Sequence, residues 1–476
     1  MIWSVHRTKG PAVSPRRTLA IASLGTVTVL VAFTSPLANI NQTVAGLGAG
    51  HRGATWILSS MSIGLGAFLL TAGRLADDYG RRRWFVIGSL VLGLATLLGA
   101  LSHDATTFVA SRIVAGAGGA AVIAAGLGMI AAAHPDPGER GRATGVWGAS
   151  IGAGIAIGPL LGNYLGSLHS WRDVYVLIGV AGLALAAAAR GCPESRSAER
   201  ARLDVPGVVL IATGTASVLA GLTEGRGGWG RPVTVLLLVV GVLLLVAFVV
   251  VERRSTHPML ALGLFARPAF RAVNVAGLAT GAGIIALMSY VSGFVGSALG
   301  ISATTAAWLM LAWSAPSVVT AVAARRLPAH WSGRGQMAVA LAVVGLGQLL
   351  VLGVDTGSGA ARFVPGLLLA GVATGVLNAA MGRESVASVP PGQAGLGSGA
   401  NNTARYLGSA LGVTVVSVVA APSGAITAAG LVDGWHRAVV VTALVSLVGA
   451  AGVALLGERV VRPGSERAET VRADSG

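Results

Sequence analysis

Long apolar stretches alternate with short polar segments along almost the whole chain. Each stretch is unbroken over about twenty residues, the length that an α-helix needs to cross the hydrocarbon core of a bilayer. The shorter alternation typical of a transmembrane β-strand is not the pattern here. The chain is therefore predicted to be an all-α polytopic membrane protein with fourteen transmembrane helices. They are expected near residues 19–40, 54–73, 84–101, 107–130, 143–166, 173–190, 206–224, 233–251, 271–297, 304–324, 337–354, 363–382, 402–421 and 437–457.

Basic residues divide unevenly between alternate polar segments. If both termini lie in the cytoplasm, the inner segments hold 27 of the 34 arginine and lysine residues, the outer segments hold six, and Arg112 alone lies within a predicted helix. Basic loops stay on the cytoplasmic side, so this bias predicts cytoplasmic termini. The preference for arginine over lysine, with abundant alanine and glycine, indicates a bacterium of high GC content. The expected location is its inner or plasma membrane.

Two basic inner segments, 190–202 and 252–271, bracket the predicted helices seven and eight. They divide the helices as six, two and six. Paired six-helix bundles around a site near the midplane are a recurring plan of secondary transporters. The predicted parts are an N-terminal cytoplasmic tail (1–18), a six-helix bundle (19–202), a central two-helix insertion (203–254), a second six-helix bundle (255–457) and a cytoplasmic tail (458–476).

Composition excludes several functional classes. The chain is 54% hydrophobic and 11% charged, and its 70 glycines favour close helix packing in lipid. The net charge of +16 lies in short loops, so the bilayer is the expected partner and nucleic acid is not. The one lysine, Lys9, leaves no phosphate-binding loop, and no histidine pair has metal-ligand spacing. We therefore expect no cofactor, no metal and no enzymatic activity.

The charged stretch from Gly73 to Trp84 is bounded by glycines and separates two apolar runs. We expect it to be an inner turn. A carboxylate there, at Asp77, can meet a positive helix N-terminus or a basic side chain across the interface between the bundles. The motif residues are Gly73, Leu75, Asp77, Gly80, Arg81 and Arg82.

Arg112 is a candidate for a substrate or coupling site, because a cation within a membrane helix costs about 2.5–3.5 kcal/mol on insertion scales. The alternative is a structural arginine solvated by backbone carbonyls. Thr34 lies in the outer half of the first helix and is expected to face the same cavity, where Arg112 would favour anionic substrates. Asn39 is a further candidate for this site or for a helix-to-helix hydrogen bond.

Two other features bear on the transport path. The spacing Gly154-x-x-x-Gly158-Pro159-x-x-Gly162 predicts a kinked and closely packed fifth helix. Trp308 and Trp313 are candidates to line an amphipathic cavity. Glu224, at the outer end of the seventh helix, is expected to be solvated.

Three of these motifs resemble signatures of the major facilitator superfamily. They are the motif from Gly73 to Arg82, Arg112-x-x-x-Gly116 with Gly118 and Gly119, and the glycine-proline motif of the fifth helix. With the extra central pair, the chain is similar to the fourteen-helix drug:proton antiporter family. That resemblance implies a latch that holds the inner gate closed, a stiff fifth helix that prevents leakage, and protons as the coupling ion. The family usually has an aspartate where Thr34 stands.

The predicted function is therefore secondary active efflux of amphipathic drugs or antibiotics, by proton antiport with alternating access and with a monomer as the functional unit. One alternative is an importer or facilitator of a small organic anion. Another, of a different class, is a membrane receptor or scaffold that does not transport.

Overall fold

The computed structural model describes residues 14–197, 204–255, 258–328, 331–421 and 427–456. Within these ranges the chain is helical and contains no strand. Most of the predicted N-terminal tail, the boundary at 202–203 and the predicted tail from 458 lie outside the described residues. In chain order the helices are α1 (Pro15–Thr34), α2 (Pro36–Gly46), α3 (His51–Tyr79), α4 (Arg81–Ala100), α5 (Ala105–Ala133), α6 (Pro137–Leu168), α7 (Asp173–Ala189), α8 (Val205–Gly225), α9 (Pro232–Arg254), α10 (Pro268–Ala279), α11 (Ala286–Leu299), α12 (Ala303–Ala323), α13 (Gly333–Leu349), α14 (Val364–Ala387), α15 (Ala394–Val419) and α16 (Ala428–Leu455).

A helix overlaps each of the fourteen predicted stretches. The described residues form sixteen α-helices because the first and the ninth stretch are each divided in two. The first is divided at Pro36, whose ring cannot supply the N–H that a continuous helix needs. In the ninth, a π-helical turn over Thr280–Ile285 joins α10 to α11. Eleven helical segments of the described chain are long and apolar enough to cross a membrane.

Side chains at the helix starts fix several boundaries. Asp104 accepts a hydrogen bond from the backbone N–H of Thr107 at the start of α5, and Asp136 caps α6 in the same way through Glu139. Such caps satisfy N–H groups that have no partner within the helix. These aspartates therefore lie at helix ends, as expected of charged residues in an apolar chain.

The helices pack around two separate hydrophobic cores. The first bundle, α1–α7, surrounds a core that includes Phe85 and Phe108, and the second bundle, α10–α16, surrounds one that includes Phe294 and Trp435. The bundles meet where α3 crosses α15 and where α6 packs on α12 and α14. The central pair, α8 and α9, lies outside this interface, with α8 against α3 and α15. Most of the apolar surface of α9 is exposed, as expected of a helix that faces lipid.

The prediction that the stretch from Gly73 is a turn is wrong. Residues 73–79 are the last two turns of α3, and α4 begins at Arg81, so Gly80 alone separates the two helices. Gly80 has φ +118°, which favours glycine, and a Cβ there would lie 2.9 Å from the carboxyl carbon of Glu194. Because one glycine makes the whole reversal, Asp77 stays on a rigid helix.

Candidate functional site

The end of α3 is joined to the start of α15 by a buried ionic contact. Asp77 is fully buried, and its Oδ1 accepts a hydrogen bond of 2.8 Å from Arg81 Nε. Its Oδ2 accepts one of 2.9 Å from the backbone N–H of Leu396, the third residue of α15. Arg81 Nη2 also donates to the carbonyl oxygen of Gly392, at 2.7 Å. We call Asp77, Arg81, Gly392 and Leu396 the latch.

Helix dipoles explain why this carboxylate needs its partners. Asp77 lies in the last turn of its own helix, where the partial charge of the helix end is negative, but it meets the positive N-terminus of α15. The free N–H of Leu396 has no partner within α15. The predicted contact of Asp77 with a helix N-terminus and a basic side chain is therefore present, and it connects the two bundles.

The segment after α7 supports the latch from the first bundle. The backbone N–H of Ser197 donates to the Asp77 carbonyl at 2.7 Å, and the N–H of Arg81 donates to the Ser195 carbonyl at 2.9 Å. Glu194 accepts hydrogen bonds from the N–H groups of Arg82 and Arg83 at the start of α4. Leu75, which the sequence placed in the motif, is half-buried.

Glycines allow α3 and α15 to touch through their backbones. A Cβ on Gly73 would meet the carbonyl oxygen of Gly395, and a Cβ on Gly399 would meet that of Leu69. The contact therefore extends along α3 for two helical turns from Asp77 toward the N-terminus of the helix. Larger residues at these positions would hold the bundles apart.

The glycine motif of α6 forms a second close contact, with α1. A Cβ on Gly154 would lie 2.9 Å from the Val27 carbonyl oxygen, and one on Gly158 would meet the hydroxyl of Thr34. A Cβ on Gly162 would lie 2.6 Å from the carbonyl oxygen of Ser35. The close packing that the sequence predicted for Gly154, Gly158 and Gly162 is therefore observed, and Pro159 faces the cavity beside them.

Three adjacent cavities, which share lining residues, lie where the bundles meet. The deep cavity, about 50 Å³, is lined by Thr34, Trp313, Arg405 and Tyr406. It shares Leu37, Pro159 and Ser289 with a wide cavity of about 480 Å³. A side cavity of about 100 Å³ shares Leu37 and Ser289 and reaches Arg226. Of the two tryptophans predicted to line a cavity, Trp313 does so, whereas Trp308 is largely exposed.

The wide cavity and the latch lie at opposite ends of the molecule. The wide cavity is lined by Asn41 of α2, shortly before α3 begins, and by Ala303 at the start of α12. The latch is at the other end of α3, a helix of 29 residues and therefore about 40 Å long. The path between the bundles is thus open at one end and sealed at the other.

Arg112 does not share a cavity with Thr34, contrary to the prediction. Arg112 is buried, and it donates from Nε to the Ile57 carbonyl at 3.2 Å and from Nη1 to the Ala32 carbonyl at 3.1 Å. The rings of Phe108 and Tyr175 lie about 6 Å from its guanidinium carbon. Ala32 and Thr34 are two residues apart on α1 and so point to nearly opposite sides of the helix. The geometry is that of the structural alternative.

Asn39 marks the bend of the first predicted helix. Its backbone (φ −117°, ψ 15°) is not helical, and its Oδ1 accepts a hydrogen bond of 3.4 Å from Thr43 Oγ1. Its buried Nδ2 has no partner. Asn39 is absent from the linings of the three cavities. Thr34 remains at the cavity wall, with its hydroxyl donated to the Leu30 carbonyl at 2.8 Å.

Sequence reasoning missed Arg405. The assignment of every basic residue except Arg112 to a loop or tail is wrong for Arg405, which lies in the middle of α15 and is 6% exposed. Arg405 Nη2 donates to Asn378 Oδ1 at 3.2 Å, while its buried Nε has no partner. The predicted helix 402–421 already contained this residue, which was the available signal.

Arg226 is a second cation that the sequence did not assign to the cavities. Its Nη1 donates to Ser59 Oγ at 3.1 Å, and burial lowers the pKa of its guanidinium to about 10. It therefore remains protonated at neutral pH. No carboxylate lines any of the three cavities among the described residues, and the same part of the chain holds no cluster of metal-ligating side chains.

Comparisons with known proteins agree with this architecture. The profile of the Major Facilitator Superfamily matches residues 18–413. The puromycin resistance protein pur8 of Streptomyces alboniger is 34% identical over 89% of this chain and 85% of its own. The probable actinorhodin transporter of Streptomyces coelicolor is 30% identical over 79% of this chain and 67% of its own. The multidrug resistance protein Stp of Mycobacterium tuberculosis is 28% identical over 78% and 70%.

A solved structure shows the same fold at low sequence identity. The human organic anion transporter MFSD10 superposes with a TM-score of 0.65 over 94% of this chain and all of its own, at 18% identity. The profile match covers most of the chain, and the relatives named above are bacterial resistance and transport proteins. The chain belongs to the Major Facilitator Superfamily and is a multi-pass membrane transporter.

Proposed function

We propose that this chain is a secondary active exporter of the bacterial inner or plasma membrane that moves amphipathic drugs or antibiotics outward in exchange for protons. It works by alternating access, and a single chain is the functional unit. The observation that carries this proposal is the path between the bundles, which is open at the wide cavity and sealed at the latch. The names of its relatives support drugs and antibiotics as the cargo.

The proposed topology has fourteen crossings arranged as six, two and six, with both termini in the cytoplasm. The latch end is the cytoplasmic end, because Arg74, Arg81, Arg82 and Arg83 all lie there. In this orientation the wide cavity faces outward. Opening of the latch would then admit substrate from the cell interior.

Proton exchange is assigned to a carboxylate outside the cavities, since none of their described lining residues is acidic. Asp77, Asp78, Glu224 and Glu252 are the buried carboxylates of the described residues. Of these four, Asp77 has hydrogen bonds to both bundles. Uptake of a proton by Asp77 would weaken its contact with Arg81 and favour opening of the latch.

The test is expression in a drug-hypersensitive bacterium, followed by everted vesicles that contain a pH-sensitive dye. We expect resistance to rise for puromycin or other antibiotics and to disappear with an uncoupler. Addition of a transported drug should release protons from acidified vesicles. Unchanged sensitivity to a broad antibiotic panel at normal membrane levels would contradict export, and transport that persists with the uncoupler would contradict proton coupling.

A further inference from the structure

Arg405 is a buried cation without a carboxylate partner at the wall of the deep cavity. It is the twelfth residue of α15, a helix of 26 residues, so it lies close to the middle of the helix. Its Nη2 donates hydrogen bonds to Asn378 Oδ1 at 3.2 Å and to Met381 Sδ at 3.9 Å, both neutral acceptors. The buried Nε has none. A buried guanidinium with an unpaired N–H group is destabilised as long as no further acceptor is supplied.

Arg112, whose buried Nη2 also has no partner, differs from Arg405 in its surroundings. Two backbone carbonyls accept hydrogen bonds from Arg112, two aromatic rings lie against its guanidinium, and it does not line the deep cavity. Two of the three guanidinium nitrogens of Arg112 therefore have acceptors within the first bundle. Arg405 instead lines a cavity that a ligand can enter.

The charged residues that line the three cavities are both positive. Arg405 lines the deep cavity and Arg226 lines the side cavity, and no described lining residue is acidic. Low-dielectric walls strengthen the attraction of these cations for an anion. Most residues that line the deep cavity beside Arg405 are apolar or aromatic, including Phe33, Trp313 and Tyr406.

The sizes of the cavities suggest how a ligand would lie. The deep cavity, about 50 Å³, has room for roughly three or four water molecules, which is the space of one charged head group. The wide cavity, about 480 Å³, can hold an aromatic or aliphatic body. Both cavities share Leu37, Pro159 and Ser289, so one molecule can occupy the two together.

We propose that Arg405 binds the anionic group of the substrate and that the chain prefers amphipathic organic anions, such as carboxylates, phenolates or sulfonates, over cations of the same size. This inference rests on the proposed function and names the chemical class that it would export. A guanidinium can hold two oxygens of such a group in parallel hydrogen bonds.

The test compares two fluorescent probes that differ by one group, anilinonaphthalene sulfonate and the same anilinonaphthalene without the sulfonate. Their dissociation constants are measured on the full-length protein in lipid nanodiscs, after subtraction of empty nanodiscs. We expect the sulfonate to bind the wild type roughly tenfold more tightly or better, the range of a charged hydrogen bond. Ethidium serves as the cationic probe and should bind weakly.

Variants assign the preference to a residue. Arg405→Gln should remove the advantage of the sulfonate and leave the affinity for the neutral probe within about twofold. Arg405→Lys, which keeps the charge but not the planar fork, should retain part of it. Arg112→Gln should leave the ratio of the two affinities unchanged. Equal melting temperatures would show that the variants are folded.

Three results would overturn the inference: tighter binding of ethidium than of the sulfonate by the wild type, a ratio unchanged in Arg405→Gln, or loss of the ratio in Arg112→Gln instead. The first requires no variant, so a folding defect cannot hide it. Failure of the exporter proposal is distinguishable, because it would appear as absent drug transport in vesicles while the binding preference for the sulfonate remained.

Discussion

Two adjacent carboxylates near the end of α3 have different partners. Asp77 is bonded to Arg81 and to Leu396 of the second bundle, whereas Asp78 forms a salt bridge of 2.8 Å with Arg74, within α3 itself. Both are buried. Substitutions at these two positions can therefore distinguish the contact between the bundles from the ion pair within α3.

Asp77→Asn should lower drug efflux to less than about a tenth of wild type at normal membrane levels. The change weakens the charged hydrogen bond to the N–H of Leu396 in the second bundle. Such a bond contributes about 1.5–3 kcal/mol, and a loss of about 1.4 kcal/mol already changes an equilibrium tenfold. Asp78→Asn is the matched control and should retain most of the efflux. The measurement is puromycin efflux in cells, with membrane levels from immunoblots. Wild-type efflux by Asp77→Asn would leave the residue without a role in the gate.

Between elements, the closed latch brings the segment after α7 into contact with the segment before α15. A Cβ built on Gly392, just before α15, lies 3.5 Å from the Cβ of Ser197, which follows α7. That separation falls within the range for a disulfide. Gly392 has φ +90°, so cysteine there carries a backbone strain of about 1–2 kcal/mol, which the bond can offset.

A variant with Ser197→Cys, Gly392→Cys and Cys192→Ser should form a disulfide between its two introduced cysteines. This bond should stop transport until a reductant is added. The bond would hold the latch closed, and alternating access requires the latch to open. Substrate uptake into everted vesicles is measured before and after the reductant, with Ser197→Cys alone as the control. Undiminished uptake by fully cross-linked protein would show that the latch need not open.

The central pair is attached to the first bundle by a carboxylate that the sequence led us to expect in solvent. Glu224 is 2% exposed, and it accepts hydrogen bonds from Arg52, Trp56 and Arg231. Its three donors come from α3 and from the segment after α8. The prediction of a solvated Glu224 is wrong because these cationic and indole donors surround it only in the packed structure.

Glu224→Gln should lower the melting temperature of the purified protein by several degrees. The change removes charged hydrogen bonds that contribute about 1.5–3 kcal/mol each. Asp173→Asn, which breaks an exposed pair with His169, is the control and should change stability by less than about 1 kcal/mol. A melting temperature for Glu224→Gln equal to that of Asp173→Asn would show that the contact does not hold α8 in place.

In the whole molecule, two bundles face each other while the central pair lies to one side. α8 contacts α3 and α15, which belong to different bundles, but it does not separate them. Its apolar contacts include Leu219 and Leu222 against Ile63 and Ala410. Loss of such contacts in lipid exposes apolar surface to an apolar solvent, so the bundles can still pack.

A reporter fused at Arg325 should be cytoplasmic both in the full chain and after deletion of residues 203–254. An even number of crossings is removed, and the basic segment 190–202 and the residues Arg267 and Arg271 remain to orient the second bundle. Alkaline phosphatase and green fluorescent protein fusions give opposite signals on the two sides. A reporter that changes side after the deletion would contradict the proposed fourteen crossings.

The sequence by itself determined the helical class, the approximate position of each helix and the small residues at the close contacts. These depend on local properties: the length of apolar stretches, the distribution of charge and the absence of a Cβ. The single-residue break at Gly80 and the π turn at 280–285 were not predicted, since neighbouring helices determine such local geometry.

Tertiary structure decided which polar side chains have partners. Asp77 meets Leu396 across 319 positions of the chain, and Arg112 finds the Ile57 carbonyl from a neighbouring helix. Arg405 lacks a carboxylate because Asn378 and Met381 are what α14 places beside it. The sequence shows the charge of each arginine. The packing of distant helices decides whether backbone carbonyls or an open cavity surround it.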